Sequence, residues 1–326
     1  MKKQDIFQGK KVFELEEEQR HAVITKEEGK ACKHRLEKRW YRRLIELNII
    51  MIIVVVGLVV HNMDKNKKLA SKAVKQIQQE MNESSDDNAT SNDDKNKLTV
   101  DDIPFEIQML GYGFMALIVG YLGLYFYFAY YRANSLRITE KNFPEVYALI
   151  EEYSYRLGIS TPKAYVIQQS GILNAFSTFI FRKQWICIHS ELFEVAYREH
   201  KDMDALAFII AHELAHIYYG HATLHYNLPI WFSSAIPIIG ATASRTREYS
   251  CDRLAQRLTG SDGLDAMLVL VIDRHLYKMV DKEDYIQEMR GQRGFFLWVV
   301  NLVVDHPIMS KRVVALEEGR GSGKLY

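Results

Sequence analysis

The amino-acid sequence predicts an α+β fold, with a mainly helical domain that carries a small antiparallel sheet and follows two transmembrane helices. Three observations lead to this prediction. Two long apolar runs lie in the first half of the chain, at residues 44–60 and 107–131. Beyond residue 137 the apolar residues recur with a helical period in several segments, and short β-branched and aromatic stretches lie between them.

The composition excludes some classes of protein. The chain has 326 residues, of which 48% are hydrophobic and 25% charged, and its formal net charge is +1. A nucleic-acid-binding protein normally has a strong basic excess, so no nucleic-acid partner is expected. Cys32, Cys187 and Cys251 are far apart and form no CxxC pair. We therefore expect small buried thiols in a reducing compartment and no disulfide scaffold.

The two apolar runs predict membrane spans. The densely basic segment "KACKHRLEKRWYRR" ends residues 1–43, which we assign as a basic cytoplasmic segment, and a transmembrane helix follows at 44–61. The run at 107–131 has no formal charge and ends in tyrosines and phenylalanines suited to a membrane interface. The alternative is a pair of buried core helices. A cleaved signal peptide is not expected, because the first run begins after residue 40.

The orientation follows from the distribution of basic residues. Residues 62–106 are rich in Asn, Asp, Ser and Lys, which predicts a flexible, extracytoplasmic loop. The basic cluster before the first run, and Arg132, Arg137 and Lys141 after the second, are expected on the cytoplasmic side. The protein would then be a multi-pass cell-membrane protein. Both termini, and a domain covering 137–326, would lie in the cytoplasm.

Local patterns order the elements of that domain. "NFPEVYALIEEYSYRLGI" predicts a helix that begins near a proline and ends near a glycine. "KAYVIQ", "NAFSTFIF" and "QWICIHS" predict the strands of the antiparallel sheet. "KDMDALAFIIAHELAHIYYGH" returns to a helical period, with Asp202 or Asp204 as its N-cap.

The last of these helices contains an HExxH pattern. His212 and His216 are four positions apart, so both side chains lie on one helical face and can bind one metal ion. Glu213 is rotated by about 100° from His212, which suits a general base that is not itself a ligand. The alternative is a helix with two half-buried histidines.

A zinc site needs a third protein ligand. His221 and His225 are possible, but their spacing suits surface or supporting positions better. Glu248 and Asp252 are four apart on a predicted helix at 244–258. One carboxylate could bind the metal while the other accepts the free ring N–H of a ligating histidine. The alternative is an exposed charged helix that also carries Arg247, Arg253 and Arg257.

Five elements in order resemble the HtpX-type family of membrane zinc metallopeptidases, the HExxH…ExxxD gluzincins related to the CAAX prenyl proteases. The resemblance covers residues 137–326, and it rests on these segments: "LGISTPKAYVI", "NAFSTFIF", "HELAH", "EYSCD" and "DHPIMSKRVVALEE". It implies a gluzincin-like fold and one Zn²⁺ per chain.

The resemblance also assigns roles to single residues. It implies that His212, His216 and Glu248 bind the zinc ion and that Asp252 supports a histidine ligand. Asn174 and Ala175 would hold the substrate backbone, and His306 and Arg312 would lie near the oxyanion or the substrate. The two candidate catalytic residues are thus Glu213, as the base, and His306. A residue at the start of a helix, with no catalytic part, is the alternative for His306, and from the sequence alone a structural role is favoured over a catalytic one for Arg312.

Two departures limit the resemblance. Many HtpX-type proteins have two further spans before the ligand glutamate, whereas here only residues 228–243 occupy that place. A single crossing would separate Glu248 from His212, so this segment must re-enter the membrane, lie in its interface or pack as a lid. We expect a membrane-dipping hairpin, with a plain buried loop as the alternative. Two spans also cannot enclose the site in a chamber, which disfavours CAAX processing.

These points predict a membrane-anchored zinc endopeptidase that hydrolyses membrane or membrane-proximal polypeptides, with a polypeptide and the lipid bilayer as partners. The apolar run at residues 295–304 is most simply core, although membrane contact is possible. Two other functions stay open. One is a catalytically inactive, membrane-anchored zinc-binding regulator or sensor, and the other is a soluble metallopeptidase whose apolar runs are core. Manganese or cobalt would accept similar ligands.

Overall fold

The computed structural model describes residues 6–7, 9–15, 17–83, 103–168, 174–180, 183–198 and 200–326. The chain divides into two compact units. Unit 1 comprises Met1–Glu46 and Phe128–Tyr326, and unit 2 comprises Leu47–Tyr127. The structure is mainly helical with a small four-stranded mixed sheet, so the α+β class is confirmed at this level.

The helices of the first half include both predicted spans. They are α1 Glu17–His21, α2 Lys26–Cys32, α3 Glu37–His61, α4 Met63–Glu83 and α5 Phe105–Ala133. Helices α3 and α5 are long and apolar enough to cross a membrane, and most of their apolar side chains are exposed. This exposure is the opposite of what a pair of core helices would show.

Helix α4 occupies a segment that the sequence analysis assigns to a flexible loop. For the residues Met63–Glu83 that prediction is wrong. The segment is rich in Lys, Ala, Gln and Glu, which are strong helix formers, and Ala70, Val74 and Ile77 recur at helical spacing. The part of the predicted loop at 84–102 lies outside the described residues.

The sheet of unit 1 has the strand order β1-β2-β4-β3, with β1 Ser135–Arg137, β2 Lys163–Ile167, β3 Ala175–Ile180 and β4 Lys183–His189. Strands β1 and β2 are antiparallel, and so are β3 and β4, but β2 and β4 run parallel. The prediction of a purely antiparallel sheet is therefore wrong. Strand β4 runs antiparallel to β3 and lies between β3 and β2. It therefore has the same direction as β2.

Most of the remaining helices of unit 1 pack around one hydrophobic core. They are α6 Pro144–Leu157, α7 Ser190–Tyr197, α8 Met203–Tyr219, α9 Leu224–Asn227, α10 Trp231–Ser234, α11 Ile239–Thr259, α12 Leu264–Val271, α13 Lys282–Gly291, α14 Phe295–Val303 and α15 Met309–Glu318, with single 3-10 turns at Leu228–Ile230 and Tyr277–Met279. Helix α8 lies at the centre of this core. It packs against the sheet, α6 and α7, and also against α11 and α12.

The amino-terminal segment of unit 1 is packed against this core. Cys32 is buried in it, and Leu44 is buried against Ile230 and Ala243. The predicted basic segment 1–43 is thus not a separate tail, because its described residues after Glu17 contribute to the fold of the unit.

Helix α14 does not contribute to the core as the sequence analysis expects. Phe295, Phe296, Trp298, Val300 and Val303 are all exposed. The core interpretation of this run is therefore wrong for these residues. Apolar composition alone does not specify which neighbour covers a helix, and membrane contact is the alternative that stays open.

Candidate metal centre and active site

Helix α8 brings the HExxH residues into the core. The Asp202 side chain caps the amino-terminal end by accepting a hydrogen bond from the Ala205 amide at 3.0 Å, as predicted. Gly220, at φ +74°, ends the helix in a left-handed conformation that glycine adopts without steric cost. Between these caps nearly every side chain is buried. His212 and Glu213 therefore lie in a protein interior and not on an amphipathic surface.

Helix α11 packs along α8 and supplies the carboxylates. Glu248 Oε2 lies 3.4 Å from His212 Nε2, and Glu248 Oε1 lies 3.4 Å from His216 Nε2. The two Nε2 atoms are themselves 3.3 Å apart. The structure therefore brings together the three side chains that the sequence analysis proposes as metal ligands. Glu248 and His216 are 32 positions apart in the sequence.

These distances fit a small divalent ion. Zinc bonds of about 2.0–2.1 Å in a tetrahedral site separate neighbouring ligand atoms by about 3.3–3.4 Å. The Nε2 atoms of His212 and His216 are 3.3 Å apart, and each lies 3.4 Å from a different oxygen of Glu248, so neighbouring donor atoms are spaced as in such a site. Two imidazoles and one carboxylate also form a donor set typical of catalytic zinc, with the fourth position left for water or substrate.

A buried ion pair lies behind His212. Asp252 Oδ1 is 2.9 Å from His212 Nδ1, and Arg312 donates two hydrogen bonds of 2.7 Å to the two oxygens of Asp252. Burial alone would raise the pKa of Asp252, but the Arg312 guanidinium and the His212 ring together outweigh burial and lower that pKa to about 2. Asp252 is thus held as an anion that accepts the Nδ1–H of His212, which leaves Nε2 free to bind a metal.

A different group lies behind His216. The Nδ1 atom of His221 is 3.2 Å from the Nδ1 atom of His216, and the His221 side chain is buried. Burial lowers the pKa of His221 to about 4, against a smaller opposing effect of Glu37. The other histidine that the sequence offers, His225, is exposed, with its Nε2 atom 3.4 Å from Thr223 Oγ1.

Glu37 is the residue near this site that the sequence analysis does not single out. Its Oε1 atom lies 3.4 Å from His221 Nε2, and its side chain is 5% exposed. The only signal in the sequence is an acidic residue inside a basic run, which by itself indicates nothing about a partner 184 positions away.

A cavity of about 110 Å³ opens onto two of the three candidate ligands, His212 and Glu248. Its lining includes Glu213, His306, Arg312, Asn174 and Ala175, together with His212, Glu248 and four apolar side chains. His306 Nε2 lies 3.6 Å from Glu248 Oε2, and its side chain is 69% exposed. It belongs to the loop before α15 and not to the first turn of a helix, because α15 begins at Met309.

The comparison with known families agrees with this geometry. Residues 140–230 match the model of peptidase family M48. The match confirms the family resemblance, consistent with an HtpX-type M48 zinc metallopeptidase. It covers β2, β3, β4 and the HExxH helix α8, whereas Glu248, Asp252, His306 and Arg312 lie beyond the matched segment. No solved structure shows a significant match to the chain. The M48 match supports a protease, and hence a hydrolase.

Proposed function

We propose that the protein is a membrane-anchored, zinc-dependent endopeptidase that cleaves membrane or membrane-proximal polypeptides. One observation carries the proposal: the imidazoles of His212 and His216 and the carboxylate of Glu248 lie 3.3–3.4 Å from one another, next to Glu213, in a chain whose HExxH segment matches an M48 peptidase model. The assignment of His212, His216 and Glu248 as ligands of one zinc ion belongs to this proposal.

The chain's own residues account for the remaining chemistry. A zinc ion held by these ligands supplies a Lewis acid that polarises a scissile carbonyl and makes water more acidic. Glu213 lines the same cavity and can take the proton of an attacking water, then deliver it to the leaving amine. His306 is exposed at the mouth of the site and can donate a hydrogen bond to the developing oxyanion. Asp252, held by Arg312, keeps His212 in the ligating tautomer.

The sheet supports binding of an extended polypeptide. Within the described residues, β3 pairs with β4 alone, so it is an edge strand of the sheet. Asn174 and Ala175, at the start of β3, line the cavity beside Glu213. An extended substrate that adds to this edge would place its backbone next to the proposed zinc ligands. This mode of binding reads backbone more than side chains and favours a substrate with an unfolded or extended segment.

Membrane anchoring is supported by exposed apolar surface. Helices α3 and α5 carry long apolar runs, and most of the apolar side chains in these runs are exposed. In unit 1, the exposed side chains of α14 suit contact with the bilayer as well. Residues 228–243 lie between His216 and Glu248 and form a 3-10 turn, the short helix α10 and the start of α11, with Ile230 buried and Ile238 exposed. We infer that they form a partly covered lid that does not cross the membrane.

The deciding experiment compares three proteins purified in detergent: the parent, Glu213→Gln and Glu248→Ala. We expect one zinc per chain in the parent and in Glu213→Gln, and much less in Glu248→Ala. Casein cleavage should fall by about 10²-fold or more in Glu213→Gln, because general-base catalysis contributes about 10²–10⁴-fold. Glu283→Gln on the exposed surface of α13 is the matched control and should behave like the parent.

Two outcomes would contradict the proposal. Cleavage by Glu213→Gln at the parental rate would exclude Glu213 as the base. A parent protein that binds zinc but cleaves nothing would favour the regulator or sensor instead. The presence of a carboxylate beside the candidate ligands argues against that alternative, since a sensor needs no base there.

A further inference from the structure

The amino-terminal segment reaches the back of the candidate metal centre. Helix α2 is tied to α11 by two hydrogen bonds, of 2.9 and 2.7 Å, from Arg257 to Glu28. Two residues after α2, the backbone amide of His34 donates a hydrogen bond to Ser250 Oγ at 2.9 Å. Ser250 is on α11 between Glu248 and Asp252, so the chain enters α3 directly behind the proposed ligands.

Glu37, the first residue of α3, is fixed at this point by three neighbours. Ser250 donates a hydrogen bond to its Oε2 atom, and Lys33 Nζ lies 2.9 Å from Oε1. The same Oε1 atom is 3.4 Å from His221 Nε2. The side chains of Glu37 and His221 are 5% and 2% exposed, so water does not compete for this contact.

The protons of the two histidines fix the direction of the hydrogen bonds. If His216 binds the metal through Nε2, its single proton is on Nδ1 and needs an acceptor. The atom that faces it is His221 Nδ1, at 3.2 Å, which can accept only when it carries no proton. The proton of His221 is then on Nε2, the atom that faces the Glu37 carboxylate. One arrangement of protons satisfies all three groups.

We propose that His221 and Glu37 are positioning residues for His216, so that the metal centre is completed by the first residue of α3. This inference rests on the proposed zinc site. The two ligand histidines are supported in parallel ways. Asp252 accepts directly from His212, and Glu37 acts on His216 through the imidazole of His221. Glu37 thereby links the start of the first apolar helix to a ligand of the metal.

A second metal site on the same residues is the competing explanation. His216, His221 and Cys251 offer ligand atoms that lie close together, with Cys251 Sγ 3.7 Å from His221 Nδ1. Such a site would need the Nδ1 atom of His216 while Nε2 faces Glu248. It would also need Cys251 as a thiolate, although that thiol is fully buried among carboxylates. The two explanations predict different metal contents, one zinc per chain against two.

The test measures zinc affinity of the full chain in detergent, by competition with a chromophoric chelator. The variants are His221→Phe, Glu37→Leu, the double variant and Glu37→Gln. Glu27→Leu, an exposed position on α2, is the matched control. Loss of a residue that supports a metal ligand typically weakens binding by about 10–100-fold, and we expect this for His221→Phe. Glu37→Leu should weaken binding less, and Glu37→Gln should recover most of that loss because its amide oxygen still accepts.

The double variant decides whether Glu37 acts through His221. If it does, the double variant binds zinc as weakly as His221→Phe alone, within about twofold, because coupled residues do not contribute additively. If the fold-losses of zinc affinity in the two single variants multiply in the double variant, Glu37 does not act through His221. Parental affinity in Glu37→Leu, or two zinc ions per parental chain, would also overturn the inference.

One further readout, together with the zinc affinities, separates this result from loss of folding and from failure of the proposed function. Cobalt-substituted protein reports the ligand geometry through its visible absorption spectrum, which Glu37→Leu should change and Glu27→Leu should not. If Glu37→Leu does not fold, the spectrum and affinity of His221→Phe and Glu37→Gln decide the outcome. A parental chain that binds no zinc refutes the proposed function, whereas equal zinc affinity in the parent and all variants refutes only this inference.

Discussion

Replacement of Arg312 by methionine tests the buried ion pair behind His212. In the structure, Arg312 makes two hydrogen bonds of 2.7 Å to Asp252, and both side chains are less than 10% exposed. Methionine retains much of the apolar contact of the arginine stem but none of its donors. The Asp252 carboxylate would then stay buried with His212 as its remaining close partner.

The expected cost follows from the burial of that charge. Removing one partner of a buried pair destabilises a protein by about 3–5 kcal/mol, because the other charge has lost its compensation. For a unit of this size each kcal/mol lowers the melting temperature by about 2–4 °C, so we expect a decrease on the order of 10 °C. The metal site should suffer too, because a displaced Asp252 no longer holds the Nδ1–H of His212.

The assay is thermal unfolding in detergent with zinc present, followed by circular dichroism at a helical wavelength. Arg290→Met is the matched control, since Arg290 pairs with Glu317 on the surface, where its side chain is 51% exposed. Such a pair contributes about 0–1 kcal/mol. The double variant Arg312→Met/Asp252→Asn removes the uncompensated charge and should recover part of the loss. Equal melting temperatures of Arg312→Met and Arg290→Met would refute the reasoning.

Two more predictions concern membrane anchoring and packing beside the site. Because α3 and α5 expose their apolar side chains, we expect the full chain to stay with the membrane fraction after a carbonate wash and to need detergent for extraction; release by carbonate would favour the soluble metallopeptidase. Gly263 has φ +80°, and a Cβ atom there would lie 2.4 Å from the buried Phe208 ring, so Gly263→Ala should lower the free energy of unfolding by about 2–4 kcal/mol. Gly291→Ala, where a Cβ atom meets open space, is its control, and equal stability of the two variants would contradict this estimate.

The sequence predicts those parts of the fold whose causes are local. Helix α6 begins at Pro144 and ends before Gly158, and α8 begins after its Asp202 cap and ends before Gly220. Caps and helical periods involve neighbours within about four positions, so the chain itself displays them. The same holds for the pairing of His212 with His216, which needs only the helical repeat.

Features that depend on distant partners are not visible in this way. The parallel pairing of β2 with β4 depends on where the β3–β4 hairpin docks, which no local pattern states. The exposure of α14 depends on the absence of a covering element among the described residues, although its composition resembles that of a core helix. Glu37 is the clearest case, because its partner His221 is 184 positions away and nothing in its neighbourhood indicates the contact.

The contact between Glu37 and His221 also restricts the topology of the chain. Glu37 precedes the first apolar run and His221 follows the second, yet their side chains meet at 3.4 Å within unit 1. Two residues in contact lie on the same side of a bilayer. If the intervening chain crosses the membrane, it must therefore cross an even number of times, which the two apolar helices satisfy.

The same reasoning applies to the proposed metal ligands. His216 and Glu248 flank residues 228–243, and their ligand atoms are 3.4 Å apart, so that segment also returns to the side from which it starts. This argument uses only distances and is independent of the distribution of charges. The arginine and lysine bias beside the two runs then selects the cytoplasm as the side we propose for the peptidase domain. Both lines of reasoning agree with the proposal that the candidate site and the amino-terminal segment lie on the same side of a membrane.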